Sequence, residues 1–196
     1  MGSRKFLLIK PRYAYYPMGL AYVASTLERN HFDYDYVDSF HQELDLENRL
    51  RHGNYYAVGS GGLVADYFFL EDLFRRVKQI DKNIPCILGG HIARDVSHEL
   101  FFRQSPIDFA VIGEAEITLP ILLNKILECS DDFTDLKGII YRSENGEPVK
   151  NPPQQRIDLR VHRVFPSFEF FDHSTWPTAR LPIPIITGRG CTGKCT

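Results

Sequence analysis

The chain has 196 residues, room for one α/β domain with an attachment or for two small domains. With 43% hydrophobic and 24% charged residues it can bury a full core, which excludes global disorder. A formal charge of -2 without a basic run gives no electrostatic footprint for nucleic acid, and no apolar run approaches the length of about 18 residues that a membrane span needs. Met1 to Lys5 leads straight into a strand pattern rather than a signal-type segment, so the expected compartment is the cytoplasm.

From residue 5 to about 128 short apolar runs alternate with longer amphipathic stretches, the pattern of repeated βαβ units. The first strand is predicted at 6–9, and the helix after it carries Leu20, Val23, Ala24 and Leu27 at i, i+3, i+4, i+7 spacing. A second strand at 34–37 and a short helix over 45–51 follow, then a third strand at 55–58. Leu70, Leu73, Phe74 and Val77 mark the next helix, with Asp66 as candidate N-cap. The fourth strand is predicted at 84–88, a narrow-striped helix over 94–103, the fifth strand at 109–112, and a helix through Leu119, Leu122, Leu123 and Ile126. The expected fold is therefore a doubly wound, flavodoxin-like (Rossmann-like) domain of five parallel strands in the order 2-1-3-4-5.

Beyond residue 130 the composition shifts. Seven of the 12 prolines lie between Pro148 and Pro184, so this part reads as an extended connector rather than further helices. Within it, runs at 138–141 and 148–150 flank Asn145-Gly146, a hairpin signal. Phe165, Phe168, Phe170, Phe171 and Trp176 are expected to pack on a neighbouring surface. The domain plan is 1–130 for the α/β domain, 131–186 for hairpin and linker, and 187–196 for the start of something further.

Ligands of open parallel sheets bind at the carboxyl ends of the strands. Six of the 14 glycines fall in those loops: Gly59, Gly61 and Gly62 after the third strand, Gly89 and Gly90 after the fourth, Gly113 after the fifth. Glycine lets a ligand approach the backbone, and it also serves turn geometry alone. No dinucleotide fingerprint follows the first strand, where Lys10-Pro11-Arg12-Tyr13 stands. The near P-loop from Gly188 to Lys194 has Cys195 where a hydroxyl is needed. Cys191 and Cys195, four apart on a glycine-containing loop, suit a soft metal or an iron-sulfur cluster, while Cys86 and Cys129 read as reduced and structural. Glu114 and Glu116 open a helix, where carboxylates are favoured electrostatically. His31, His41, His52, His98, His162 and His173 show no mutual spacing and read as surface residues.

The segment Thr187-Gly188-Arg189-Gly190-Cys191-Thr192-Gly193-Lys194-Cys195 resembles the opening of a radical S-adenosylmethionine domain, whose motif is Cys-x-x-x-Cys-x-x-Cys after an Arg-Gly pair. Upstream, Met18-Gly19-Leu20, Val58-Gly59-Ser60-Gly61-Gly62, Leu88-Gly89-Gly90-His91 and Ile112-Gly113-Glu114 resemble the cobalamin-binding domain that precedes it in many of these enzymes. The resemblance implies cobalamin as cofactor and a radical barrel in cis, with methyl transfer or a related radical reaction in the intact protein. It also implies a [4Fe-4S] cluster and S-adenosylmethionine in the full-length enzyme, with Cys191 and Cys195 as cluster ligands. The third ligand would fall at position 198, beyond the last residue given, so this chain is not expected to catalyse alone.

The histidine-bearing Asp-x-His-x-x-Gly loop of other cobalamin domains is replaced here by residues 11–19 without histidine, so no histidine lower ligand is expected. By position, Gly59 to Leu63 and Gly89 to His91 would line two sides of a channel for the nucleotide tail. Ser60 would hydrogen-bond the tail, Gly113 and Glu114 would lie beside it, and Tyr13 would face the corrin. The rivals are a cofactor-free docking or substrate-recognition module and a metal-binding module built on Cys191 and Cys195.

Overall fold

The computed structural model describes residues 3–13, 16–40, 44–95, 102, 104–160, 164–169 and 185–189. The apolar run that opens the chain forms β1 (Lys5–Lys10), followed by α1 (Met18–Arg29), β2 (Tyr34–Asp38), α2 (Leu46–His52) and β3 (Tyr55–Gly61). Then come α3 (Tyr67–Ile80), β4 (Cys86–Gly89), α4 (His91–Asp95), β5 (Phe109–Val111), α5 (Ala115–Leu127), β6 (Ile139–Arg142) and β7 (Pro148–Lys150). The parallel strands pair in the order β2-β1-β3-β4-β5, as the sequence predicts.

The sheet is larger than the five strands expected. β6 adds antiparallel to β5 and β7 antiparallel to β6, making one mixed sheet of seven. The Asn145-Gly146 hairpin forms as predicted, with Gly146 at φ 80° and the Ser143 amide donating to the Glu147 carbonyl. Its register is set by Ile112 and Asn151: the Ile112 amide donates to the Gly138 carbonyl, and the Asn151 side chain donates to the carbonyls of Phe133 and Leu136.

Side chains alternate across each strand, so the sheet has two buried faces. Leu7, Ile9, Val58, Cys86, Leu88 and Ala110 pack with Leu46 and Leu50 of α2, Leu70, Phe74 and Val77 of α3, and Ile92 of α4. Phe6, Leu8, Ala57, Ile87, Phe109 and Val111 pack with Leu20 and Leu27 of α1 and Leu119, Leu122 and Leu123 of α5. The predicted α3 stripe, Leu70, Leu73, Phe74 and Val77, is the set of residues that α3 buries.

Two details depart from the sequence reading. Gly90 at φ 80° turns the chain sharply enough for α4 to start at His91, so Ile92 and Ala93 are buried where a helix was expected only from residue 94. Asp66 precedes α3 without capping it; its Oδ2 accepts from the Leu63 amide at 2.8 Å and closes the loop instead. Between β1 and β3 the register shifts, Lys5 opposing Tyr55 while Phe6 opposes Ala57. That extra residue places Tyr56 and Ala57 together on the α1/α5 side, and alternation from there puts Gly59 and Gly61 on that side too.

Gly59 makes room for the Phe6 ring: a Cβ there would sit 2.2 Å from Phe6 Cζ. Gly59→Ala is expected to destabilise the fold by about 1–3 kcal/mol by overpacking, and Phe6→Leu in the same chain should recover part of it; urea unfolding of the single and double variants measures both.

Candidate functional site

All five parallel strands end at one edge, and the chain reverses its winding between β1 and β3, where a crevice opens in such sheets. β1 ends there in Lys10, whose side chain is fully buried. Its Nζ lies 3.0 Å from Asp38 Oδ1 at the end of β2, donates to the Tyr13 carbonyl, and stands 4.4 Å from the Tyr13 ring centre and 5.5 Å from that of Phe40. Burial pulls the Lys10 pKa below its ordinary value, against the opposing pull of Asp38. The sequence reading missed this pair; a lysine and an aspartate as the last residues of two neighbouring strands were the available signal.

The loops after β3 and β4 touch along their backbones. A Cβ on Gly61 would lie 2.6 Å from the Gly89 carbonyl carbon, and one on Gly90 would lie 2.7 Å from the Gly62 nitrogen. The Ile92 amide donates to the Gly62 carbonyl at 3.1 Å. The two loops expected to line a channel, Gly61-Gly62-Leu63 and Gly89-Gly90-His91, thus meet main chain to main chain at their glycines. Gly61, Gly62 and Gly90 serve this contact, with a Cβ on Gly62 also meeting Asp66 Oδ2 at 2.2 Å.

Open space lies on one side of that seam. Among the described residues, and leaving aside chain neighbours, Gly89 at the end of β4, Gly113 after β5 and Gly19 in the first turn of α1 have no heavy atom within 4 Å of where a Cβ would be. Alternation from Ile87 and from Val111 puts Gly89 and Gly113 on the α1/α5 face. Gly19 is exposed at the start of α1, Gly89 is half-buried at the carboxyl end of β4, and Gly113 is exposed just beyond the carboxyl end of β5.

Ser60 points to the other face. It is buried, and its hydroxyl donates to the Ile9 carbonyl at 2.7 Å, so it is committed to the β1–β3 pairing. Tyr13 is half-buried beside Lys10. Leu63 is exposed, as are Phe40 after β2, Val64 after β3 and Phe68 in the first turn of α3, three apolar residues that sequence reasoning did not single out. Glu114 has both carboxylate oxygens engaged, Oε2 by the Ile157 amide at 2.9 Å and Oε1 by Arg189 at 3.2 Å.

His91 opens α4 with an exposed side chain, while His31 and His52 lie exposed at helix C-termini, toward the opposite end of the sheet. His41, His98, His162 and His173 lie outside the described residues, as do Cys191, Cys195, Phe170, Phe171 and Trp176. Cys86 is a buried free thiol, its pKa pushed up to about 12 by burial; Cys129 is free and exposed. Among the described residues no group of three or more His, Cys, Asp or Glu is gathered for a metal, and no helix is long and apolar enough to cross a membrane.

The family model of the B12 binding domain matches residues 4–123, more than half of the chain. The chain belongs to the B12-binding domain family. This B12-binding domain is 26% identical over 151 residues to Uncharacterized protein MJ1620 of Methanocaldococcus jannaschii, covering 77% of the chain and 27% of that protein. It is 26% identical over 113 residues to the anaerobic magnesium-protoporphyrin IX monomethyl ester cyclase of Synechocystis, covering 58% of the chain and 22% of the cyclase. The B12-binding domain also shares its fold with OxsB, a cobalamin-dependent S-adenosylmethionine radical enzyme, in the structure with aqua-cobalamin and S-adenosylmethionine bound. The TM-score is 0.61 at 17% identity, over 78% of this chain and 22% of OxsB. The apo form of OxsB gives the same TM-score at 14% identity. The chain thus spans about a quarter of the length of these relatives.

Proposed function

We propose that this domain binds cobalamin at the carboxyl edge of its sheet, with the nucleotide tail on the ledge of Gly19, Gly89 and Gly113. The observation that carries this is that, among the described residues, no heavy atom lies within 4 Å of a Cβ at any of these three glycines, with Gly89 and Gly113 at the carboxyl edge of the sheet. An elongated group can lie against bare backbone there, where any side chain would occupy its volume. Tyr13, Phe40, Leu63 and Val64 supply the apolar border against which a corrin would rest. The β1–α1 loop offers neither imidazole nor thiolate, so its residues would hold the cofactor by contact and not by ligating its metal. Bound there, cobalamin would supply methyl-transfer or related cobalt chemistry.

The chain's own part is positional. The Lys10 and Asp38 pair holds the β1 and β2 ends together and fixes the Tyr13 backbone, and the seam between the β3 and β4 loops gives the ledge a rigid floor. The reading extends to the longer protein: a radical S-adenosylmethionine barrel in cis, whose [4Fe-4S] cluster takes Cys191 and Cys195 among its ligands, acting in methyl transfer or a related radical reaction. The match to the cyclase and the fold shared with OxsB support it.

The test is to mix the purified chain with hydroxocobalamin, remove free ligand by gel filtration and record the visible spectrum. Corrin should co-elute with a spectrum lacking protein nitrogen coordination. Well-folded protein that elutes without corrin would overturn the reading in favour of a cofactor-free docking module.

A further inference from the structure

The linker that follows β7 returns to the α1/α5 side and attaches there at several points. The Ile157 amide donates to Glu114 Oε2 at 2.9 Å, the Ser167 amide donates to the Ala21 carbonyl at 3.0 Å, and Phe168 meets Tyr16 edge-on at 5.3 Å. In the last described stretch, residues 185–188 are exposed, Ile185 by 84%. Arg189 differs. Its side chain is only 19% exposed, and Nη1 lies 3.2 Å from Glu114 Oε1 and 2.5 Å from Glu116 Oε1. The guanidinium also stacks 4.4 Å from the centre of the Tyr22 ring. Two carboxylates at the start of α5 and an aromatic face on α1 make a three-sided seat for a planar cation, which a lysine would fill poorly.

We propose that Arg189 is a positioning residue, a latch that ties the segment leading into Cys191 and Cys195 to the N-terminal end of α5. Glu114 follows Gly113 directly and also holds Ile157, so the ledge, the linker and the latch share one short loop. The consequence for catalysis rests on the cobalamin reading: the latch would fix how far the cysteine motif stands from a cofactor on the ledge. The latch itself does not need the cofactor.

Hydrogen exchange of the cofactor-free chain tests it directly, with α3 as internal control. Arg189→Gln should speed exchange at Ile157 and over 185–190 by about fivefold, the scale of one partly exposed ion-pair network, and leave α3 unchanged. The charge-swapped pair Arg189→Glu with Glu116→Arg should restore at least half of the lost protection, which a merely space-filling role would not allow. Unchanged exchange in Arg189→Gln, or a double variant no better protected than Arg189→Glu alone, would overturn the latch. Repeating the measurement after incubation with hydroxocobalamin separates the two readings: a chain that retains no corrin yet shows the Arg189 effect loses the cofactor assignment and keeps the latch.

Discussion

Gly89→Trp is expected to weaken hydroxocobalamin binding by at least about 100-fold, roughly 2.7 kcal/mol, while leaving the thermal midpoint close to that of the parent chain. Among the described residues nothing lies within 4 Å of a Cβ at this position, so the indole enters space that none of their side chains fills. That space is the ledge, and the bulky ring would occupy the volume assigned to the nucleotide tail. Gly90 makes the contrast. It has φ 80°, and a Cβ would meet the Gly62 amide nitrogen at 2.7 Å, so even Gly90→Ala strains the backbone and pushes the two loops apart. Corrin loss in Gly90→Ala would therefore come with a lowered thermal midpoint, whereas loss in Gly89→Trp would not. Absorbance titration and thermal unfolding of both variants separate the cases, and undiminished binding by folded Gly89→Trp would remove the ledge as the site.

Lys10→Met should cost about 3–5 kcal/mol of stability, the scale for removing one partner of a buried ion pair. The methionine matches the stem in volume but takes the cation away from Asp38, itself nearly buried, whose same oxygen also accepts from the Phe40 amide at 3.0 Å. Adding Asp38→Leu should recover most of the loss, because two apolar side chains are cheaper to bury than one unpaired charge. The pH dependence has a defined sign. Burial lowers the Lys10 pKa, so between the folded value and 10.5 the unfolded chain binds more protons than the folded one. This group's contribution to stability therefore rises with pH across that window, and the rise should be missing in Lys10→Met. Urea unfolding at pH 7 and at pH 10 measures both effects; an equal gain from pH 7 to 10 in parent and variant would contradict the assignment.

How much could be read from the sequence depended on how local each determinant is. The α3 stripe is a matter of 3.6-residue spacing, and the Asn145-Gly146 turn is set within four residues, so both were legible. The strand order followed from the alternation of strands and helices and the doubly wound fold it implies. The glycines could be assigned to the carboxyl edge of the sheet from sequence, but their face was hidden. It depends on the register shift between Lys5 and Phe6 opposite β3, which changes which side of the sheet Gly59 and Gly61 occupy. The same shift leaves Ser60 on the far side, where its hydroxyl serves β1. Lys10 and Asp38 lie 28 positions apart and meet only through β1–β2 register. Arg189 and Glu114, 75 positions apart, meet only through the path of the linker.

The hairpin that completes the sheet also governs how the protein can be handled. β5 has three residues and would be a bare edge without β6, while β7, which ends the sheet, is equally short and carries Pro148 and Lys150. A proline and a lysine on a short outer strand discourage another molecule from adding to it. Cutting the chain at residue 130 for biophysical work would strip that protection and uncover Phe109, which Phe133 and Tyr141 otherwise cover. Such a piece should self-associate through its open edge, whereas one ending after the linker's attachment at Ser167 retains both the guarded border and its aromatic cover.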